Sequence, residues 1–348
     1  MVERDRRHAL ALDVGGANIK AAHSAGGARV VPFELWKRPE ELPRVLQGLA
    51  HELPPFDVLA VTMTAELCDC YASKAEGVSE VLGATMSLAP QESILIWSTS
   101  GRFLSLTEAL RNPLRVAAAN WLALATVAGR EAPSGPGLVI DIGTTTTDLI
   151  PLNDGRPVPR GRSDTERLQT GELVYAGVRR TPVCALGPSL RYRGLMTGLA
   201  AELFATTHDV YLTLGMAEED PTDLATADGR PATVEAARGR LARMVGADSE
   251  GFSQDDAREL AGSADALLLD RLEAAARRAC SVIGPLATIV TCGSGSSLAR
   301  RVGLRMVESD RSIISLADAW GPAAAAAGCA HALLALVQEK PLEEEPEW

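Results

Sequence analysis

The sequence predicts an α/β protein whose two domains face each other across a central cleft. Three observations lead there. The chain has 348 residues, more than one ordinary core accommodates and enough for two. A strand, a glycine turn and a returning strand open the chain at residues 8–23, and the same order recurs at 138–152. Between them, residues 131–137 (EAPSGPG) carry proline and glycine at close spacing and form the clearest linker. The expected boundaries are 1–130 for the first domain, 131–338 for the second, and 339–348 for an acidic, proline-broken tail.

In the first domain, residues 8–14 are an apolar run ending at Gly15 and Gly16, which reads as a buried strand. Residues 19–23 and 29–33 follow as further strands in meander order. Residues 40–53 place Leu42, Val45, Leu46 and Leu49 at helical spacing, and Pro54 and Pro55 stop the helix. Residues 57–64 are apolar almost throughout, as expected of a strand covered on both faces. Residues 94–97 form a short strand, and 106–128 are helical with a break at Pro113.

In the second domain, strands are expected at 138–142 and 147–152, with Asn153, Asp154 and Gly155 closing a hairpin. Helices are expected at 195–206, 233–244, 253–282, 296–302 and 316–337. A strand at 286–291 ends in the glycine-rich Cys292-Gly293-Ser294-Gly295.

Composition excludes several classes. With 46% hydrophobic and 23% charged residues the chain is globular. No apolar run reaches the roughly 18–20 residues that cross a bilayer. The alanine-rich stretch 322–337 is interrupted by Gly328 and His331 and reads as a buried helix. Residues 1–7 are charged and lead straight into a strand, unlike a signal peptide, so a cytoplasmic location is expected. The six cysteines are scattered without CxxC spacing, which fits reduced thiols better than zinc or disulfides. The five histidines show no metal spacing. The formal net charge of −11, with no basic stripe, argues against nucleic acid as a partner.

The two glycine turns carry the chemistry. The first runs Leu12-Asp13-Val14-Gly15-Gly16-Ala17-Asn18-Ile19-Lys20, the second Ile140-Asp141-Ile142-Gly143-Thr144-Thr145-Thr146-Thr147-Asp148. Glycine lets backbone N–H groups close on a phosphate, and threonine hydroxyls add neutral donors. Carboxylates repel phosphate, so Asp13 and Asp141 make sense as ligands to Mg²⁺ lying between them and the phosphate. Lys20 can bring a positive charge to the same oxygens. Gly293, Ser294 and Gly295 would face further phosphate, or a base and ribose.

These motifs resemble the phosphate motifs of the actin-like ATPase superfamily, the actin/sugar-kinase/Hsp70 fold built from duplicated ribonuclease-H-like domains. More narrowly they resemble its hydantoinase/oxoprolinase branch. Residues 63–69 (MTAELCD), 74–78 (KAEGV), 175–183 (YAGVRRTPV) and 207–211 (THDVY) are similar to the tetrahydromethanopterin-linked one-carbon-transfer proteins, a family that includes a methanofuran-biosynthesis enzyme. The resemblance covers about residues 8 to 335. It implies a transferase that joins an aminomethylfuran methyl diphosphate to the phenol oxygen of γ-glutamyltyramine, releasing diphosphate, with Mg²⁺ expected. Ala17 departs from the kinase pattern, in which Thr or Ser supplies a donor to a γ-phosphate. That departure favours a diphosphate-bearing substrate over ATP.

For such a reaction, Asp13, Asp141, the turn N–H groups and Lys20 would neutralise the leaving group. The phenol, with an ordinary pKa of about 10, needs a carboxylate within reach. Glu66 and Asp69 follow the strand at 57–64, at the end where open α/β sheets place their sites. Glu66 is the first choice as base, with Asp69 and Asp209 as further carboxylates. Lys74 is a candidate substrate contact, and Arg179 and Arg180 are candidates for the glutamyl carboxylate. Two alternatives stand beside this reading. One is an ATP-dependent small-molecule kinase or oxoprolinase-like ATPase, with ATP as ligand. The other is a non-catalytic sensor. Small-molecule substrates are expected, a homodimer is allowed, and no membrane or nucleic-acid partner is expected.

Overall fold

The computed structural model describes residues 8–309 and 312–339. The charged segment 1–7 and the acidic tail beyond Glu339 lie outside the described residues.

The first sheet holds β1 (Ala9–Val14), β2 (Asn18–His23), β3 (Ala28–Pro32), β4 (Val58–Met63), β5 (Ile94–Trp97) and β6 (Phe103–Ser105), in the order β3-β2-β1-β4-β5-β6. β1, β2 and β3 form an antiparallel meander, and β4 and β5 extend the sheet parallel to β1. The second sheet begins with β7 (Pro136–Ile142), β8 (Thr147–Asn153), β9 (Arg156–Pro157) and β10 (Leu173–Val174). A separate hairpin of β11 (Ser189–Tyr192) and β12 (Leu195–Gly198) follows. β13 (Thr288–Cys292) and β14 (Ile313–Ser315) then complete the order β10-β8-β7-β13-β14, with β9 beside β8. Again a hairpin comes first and parallel strands extend it. This is the duplicated plan of the actin/sugar-kinase fold.

Helices fill three layers. α1 (Leu42–His51), α2 (Lys74–Thr85) and α3 (Leu106–Arg111) cover the outer face of the first sheet through Leu46, Val81, Leu82 and Leu106. α4 (Asn120–Ala128) lies between the sheets. α5 (Asp164–Thr170) precedes β10, and α6 (Thr207–Thr213) and α7 (Val234–Met244) pack with the β11–β12 hairpin on their own small core. α8 (Gln254–Ala279) and α9 (Ser296–Met306) cover the outer face of the second sheet. The chain ends in α10 (Leu316–Trp320), α11 (Pro322–Ala326) and α12 (Gly328–Glu339). α12 returns to the first half, packing on β1, β2, β4 and α4.

Strand parity decides what faces the space between the sheets. Successive side chains of a strand point to opposite faces. In β1, Leu10, Leu12 and Val14 enter the outer core, while Ala9 and Ala11 face α4 and α12. Asp13 has the parity of the two alanines. In β7, Leu138, Ile140 and Ile142 face outward and Val139 inward, so Asp141 points inward too. Lys20 shares its face with the inward Ala22, and Asp148 with the inward Ile150 and Leu152. Four charged groups are thereby delivered to one interior by alternation alone.

Three sequence expectations are corrected. Residues 195–206 are not a helix. Arg193 and Gly194, with φ of 49° and 77°, make a two-residue turn that pairs Tyr192 with Leu195. The apolar residues that suggested a helix are surface ones: Leu195 and Met196 are exposed. The 106–128 segment breaks at Pro113 as expected, but the break is longer, running through Ala118 in the left-handed region before the second helix begins. The 316–337 helix is three pieces, broken where Gly321 (φ 85°) precedes Pro322. α2 and α5, both absent from the sequence reading, start at Ser73 and Ser163, whose hydroxyls accept from the N–H groups of Glu76 and Glu166.

Candidate active site

Asp13, Lys20, Asp141 and Asp148 open onto one cleft of about 710 Å³ between the sheets. In the first hairpin Asp13 stands opposite Lys20. In the second, Asp141 stands opposite Asp148. The Lys20 ammonium is 3.8 Å from Asp13 Oδ2 and also feels the charge of Asp141. Burial works to lower the Lys20 ammonium, but Asp13, Cys329 and Asp141 outweigh it and hold it above its ordinary value. Burial raises the Asp13 carboxyl against the pull of Lys20. Burial, and then the charge of Asp148, push Asp141 up to about 6. Asp13 Oδ1 is buried and, among the described residues, has no hydrogen-bond partner.

The turns differ in part from expectation. Gly15 N–H donates to Asn18 O at 3.0 Å, and Gly143 N–H to Thr146 O at 2.8 Å, so the leading glycine of each closes the turn and is not free for a ligand. Among the described residues no backbone partner is recorded for the N–H groups of Gly16, Ala17, Thr144 and Thr145, and all four residues line the cleft. Asn18 and Thr146 line it as well. The second turn is braced from behind. Val178 N–H donates to Gly143 O, and the N–H groups of Arg179 and Arg180 both donate to Thr144 O. Gly177 makes this approach possible, since a Cβ there would lie 2.5 Å from Gly143 O. Thr181 and Thr207 hydroxyls bond the Gly177 backbone in turn.

Gly293 and Ser294 line the cleft, but Gly295 does not. Gly295 donates its N–H to Ile142 O, and a Cβ on it would strike Ile142 and Val178 at 2.6 Å. Its part is to seat β13 and α9 against the second turn. A Cβ on Gly293 would meet Asp141 Oδ1 at 2.3 Å, so that glycine makes room for the carboxylate.

Glu66 follows β4 and is 1% exposed. Burial pushes its carboxyl up to about 7, and Oε2 has no partner among the described residues. Its backbone lies against Gly77 of α2, where a Cβ would come within 2.3 Å of Glu66 O. A carboxyl that titrates near neutrality inside a cleft can exchange a proton with a bound substrate.

Other expected residues sit elsewhere. Asp69 is exposed and lies outside the cleft lining. Asp209 is no cleft residue. It caps α6, accepting from Thr206 N–H, and is 2.7 Å from the fully buried Arg240 guanidinium. Arg179 is paired with Asp223 and also stands outside the lining. Lys74 is bonded to Asp164 at 2.7 Å, and it is Asp164 that lines the cleft. Arg180 lines the cleft, with its guanidinium 4.5 Å from the centre of the Trp36 ring.

The structure adds residues that sequence reasoning missed. Arg167, 1% exposed, bonds Asp148 at 2.7 Å and stacks 4.0 Å over Trp121. Asn120 and Cys329 stand beside the Asp13 carboxyl. Tyr175 offers a half-exposed ring to the same cleft. Asp148 could have been found from the motif, because it closes the second hairpin seven positions after Asp141. Arg167, Asn120 and Tyr175 have no such local signal.

Comparison with known proteins gives four results. A family profile described as hydantoinase/oxoprolinase matches residues 57–336. A curated protein of Methanocaldococcus jannaschii, named (4-{4-[2-(gamma-L-glutamylamino)ethyl]phenoxymethyl}furan-2-yl)methanamine synthase, is 31% identical over 95% of this chain and 98% of its own length. A Methanococcus vannielii protein of the same name is 29% identical over 53% of this chain and 82% of its own length. Among solved structures, an archaeal actin homolog in complex with ADP aligns over 95% of this chain and 99% of its own, at 15% identity and a TM-score of 0.46.

Proposed function

Because the chain belongs to the hydantoinase/oxoprolinase family, we propose that it acts as a methanofuran-biosynthesis synthase like its curated relatives, within tetrahydromethanopterin-linked one-carbon metabolism. The observation that carries this is the 31% identity to a synthase along 98% of that protein's length. In this reading the phenol oxygen of γ-glutamyltyramine attacks the methylene of an aminomethylfuran methyl diphosphate. The new C–O bond is the aryl ether, the C–O bond to diphosphate breaks, and the phenol proton passes to Glu66. A base at about 7 is half ionised at neutral pH, which suits both taking and later releasing that proton.

The diphosphate would lie between the turns, against the N–H groups of Gly16, Ala17, Thr144 and Thr145, with Lys20 beneath. Mg²⁺ fits here. Among the described residues there is no cluster of three or more His, Cys, Asp or Glu that could hold a metal unaided. Asp13, with its unpartnered Oδ1, and Asp141 offer the one or two carboxylates that Mg²⁺ uses when phosphate oxygens and water complete its shell. When bound, the ion would offset charge on the leaving diphosphate. Arg180 and Lys20, the latter beside Asp13, line the cleft as cations for substrate charge, while Arg167 and Lys74 are committed to Asp148 and Asp164.

The test is direct. Purified protein, Mg²⁺, the furan diphosphate and γ-glutamyltyramine should give the aryl ether by mass spectrometry, with one diphosphate released per ether. Sustained, substrate-stimulated ADP release from ATP without ether formation would overturn the proposal in favour of the ATPase reading. The cytoplasm is the expected setting; no helix among the described residues is long and apolar enough to cross a membrane.

A further inference from the structure

Lys74 and Asp164 are 90 positions apart, yet Lys74 Nζ meets Asp164 Oδ2 at 2.7 Å. Lys74 is the first residue of α2, on the first sheet. Asp164 is the first residue of α5, which leads into the second sheet. The bond therefore ties the two halves together. It does so at a partly exposed rim, with the side chains 28% and 16% accessible. Helix physics favours Asp164 and disfavours Lys74 at these positions, because the positive end of a helix dipole repels a cation. A lysine kept at that place has its counter-charge in Asp164.

Glu66 lies beside this pair. Its backbone is in contact with Gly77, three residues beyond Lys74 on α2, and it shares the cleft lining with Asp164. We propose that Lys74 and Asp164 form a positioning pair for Glu66, locking α2 to α5 over the cleft while presenting opposite charges to the Glu66 carboxyl. The proposal deepens the reading of Glu66 as base and rests on it.

The groups facing Glu66 come from each neighbouring element. Cys68 is on its own segment, Lys74 on α2, Asp164 on α5, and Tyr175 on the loop after β10. Glu76 of α2 is engaged by the Ala72 N–H at 2.8 Å. Asp164 favours the neutral acid and Lys74 the carboxylate. A mere strut would respond alike to loss of either partner. A tuning pair responds in opposite directions.

The experiment is a carboxyl ¹³C NMR titration of the full-length chain, with the Glu66 signal assigned by its loss in Glu66→Gln. Asp164→Asn should lower the Glu66 midpoint and Lys74→Met should raise it, each by about half a pH unit. Lys74→Arg should restore the parent value. Displacement of both variants in one direction, or of neither, overturns the proposal. Should Lys74→Met not fold, Asp164→Asn decides alone: a fall supports the proposal, and no change or a rise overturns it. The titration needs no substrate, so it stands apart from the aryl-ether assay. The acid limb of kcat follows the same displacements only where Glu66 is the base.

Discussion

The two hairpins share a backbone plan and differ in charge at one register position. Asp13 faces Lys20 across the first, and Asp141 faces Asp148 across the second. One lysine from the first half thus lies near the aspartates of both, while the second half neutralises Asp148 with Arg167 brought in from α5. The first hairpin is self-contained in charge. The second is a buttressed anionic wall, braced by residues 177–181 and 207. The two hairpins share their geometry, and the residue opposite the leading aspartate divides the labour: one side offers a cation to a ligand and the other offers carboxylates.

Replacing Lys20 should test this division most severely. Lys20→Met leaves Asp13 and Asp141 without their shared cation, and kcat should fall about 10³-fold, equivalent to about 4 kcal/mol. If Lys20→Met combined with Asp148→Lys recovers the activity, the side that carries the cation is immaterial and the comparison breaks. Glu66→Gln should lower kcat by about 10²-fold or more. The parent's rate should rise with pH through about 7, where Glu66 ionises, and that limb should vanish in the variant. The stability sign is opposite. A carboxyl raised from 4.5 to about 7 stabilises the fold fully below its unfolded value, and that contribution is lost as pH climbs through 7. Urea melts of the parent should therefore weaken between pH 5 and 8 by roughly 1–3 kcal/mol more than those of Glu66→Gln.

Asp209→Ala sharpens the contrast between cleft and scaffold. Arg240 loses a fully buried partner, so stability should fall by about 3 kcal/mol in denaturant melts while kcat per folded molecule stays unchanged. The smallest pair concerns the turns themselves. Gly177→Ala presses a methyl onto the backbone of the second turn and should cost about 2 kcal/mol. Gly16→Ala meets only the Cys68 thiol, a side-chain atom, and should cost under about 1 kcal/mol. Equal costs would show that the two turns are supported alike.

The recurring glycine turn made the centre of the cleft readable in advance. Asp13, Lys20 and Asp141 could be placed together because each stands in a strand beside one of the two turns, and the structure brings all three to one cleft. The periphery was illegible for a physical reason. Asn120 and Trp121, Arg167, and Tyr175 reach the cleft from three segments whose meeting depends on tertiary packing, and none carries a local pattern that announces it. Asp209 misled because an acidic residue at the start of a helix looks the same whether it caps the helix or serves a reaction. The helix wrongly expected at 195–206 has no apolar stripe to bury there, since Leu195, Met196 and Leu203 are all exposed.

The return of α12 to the first sheet has a consequence for biosynthesis. The inward alanines of β1, β2 and β4 are covered by a helix that begins at Gly328, at least 265 residues after the end of β4 at Met63. At roughly 5–20 residues per second of translation, the ribosome holds that face open for on the order of ten to fifty seconds. Small methyl groups present little adhesive surface during such a wait. The same alanines that let α12 seat closely in the finished protein also keep the nascent half quiet until its partner emerges.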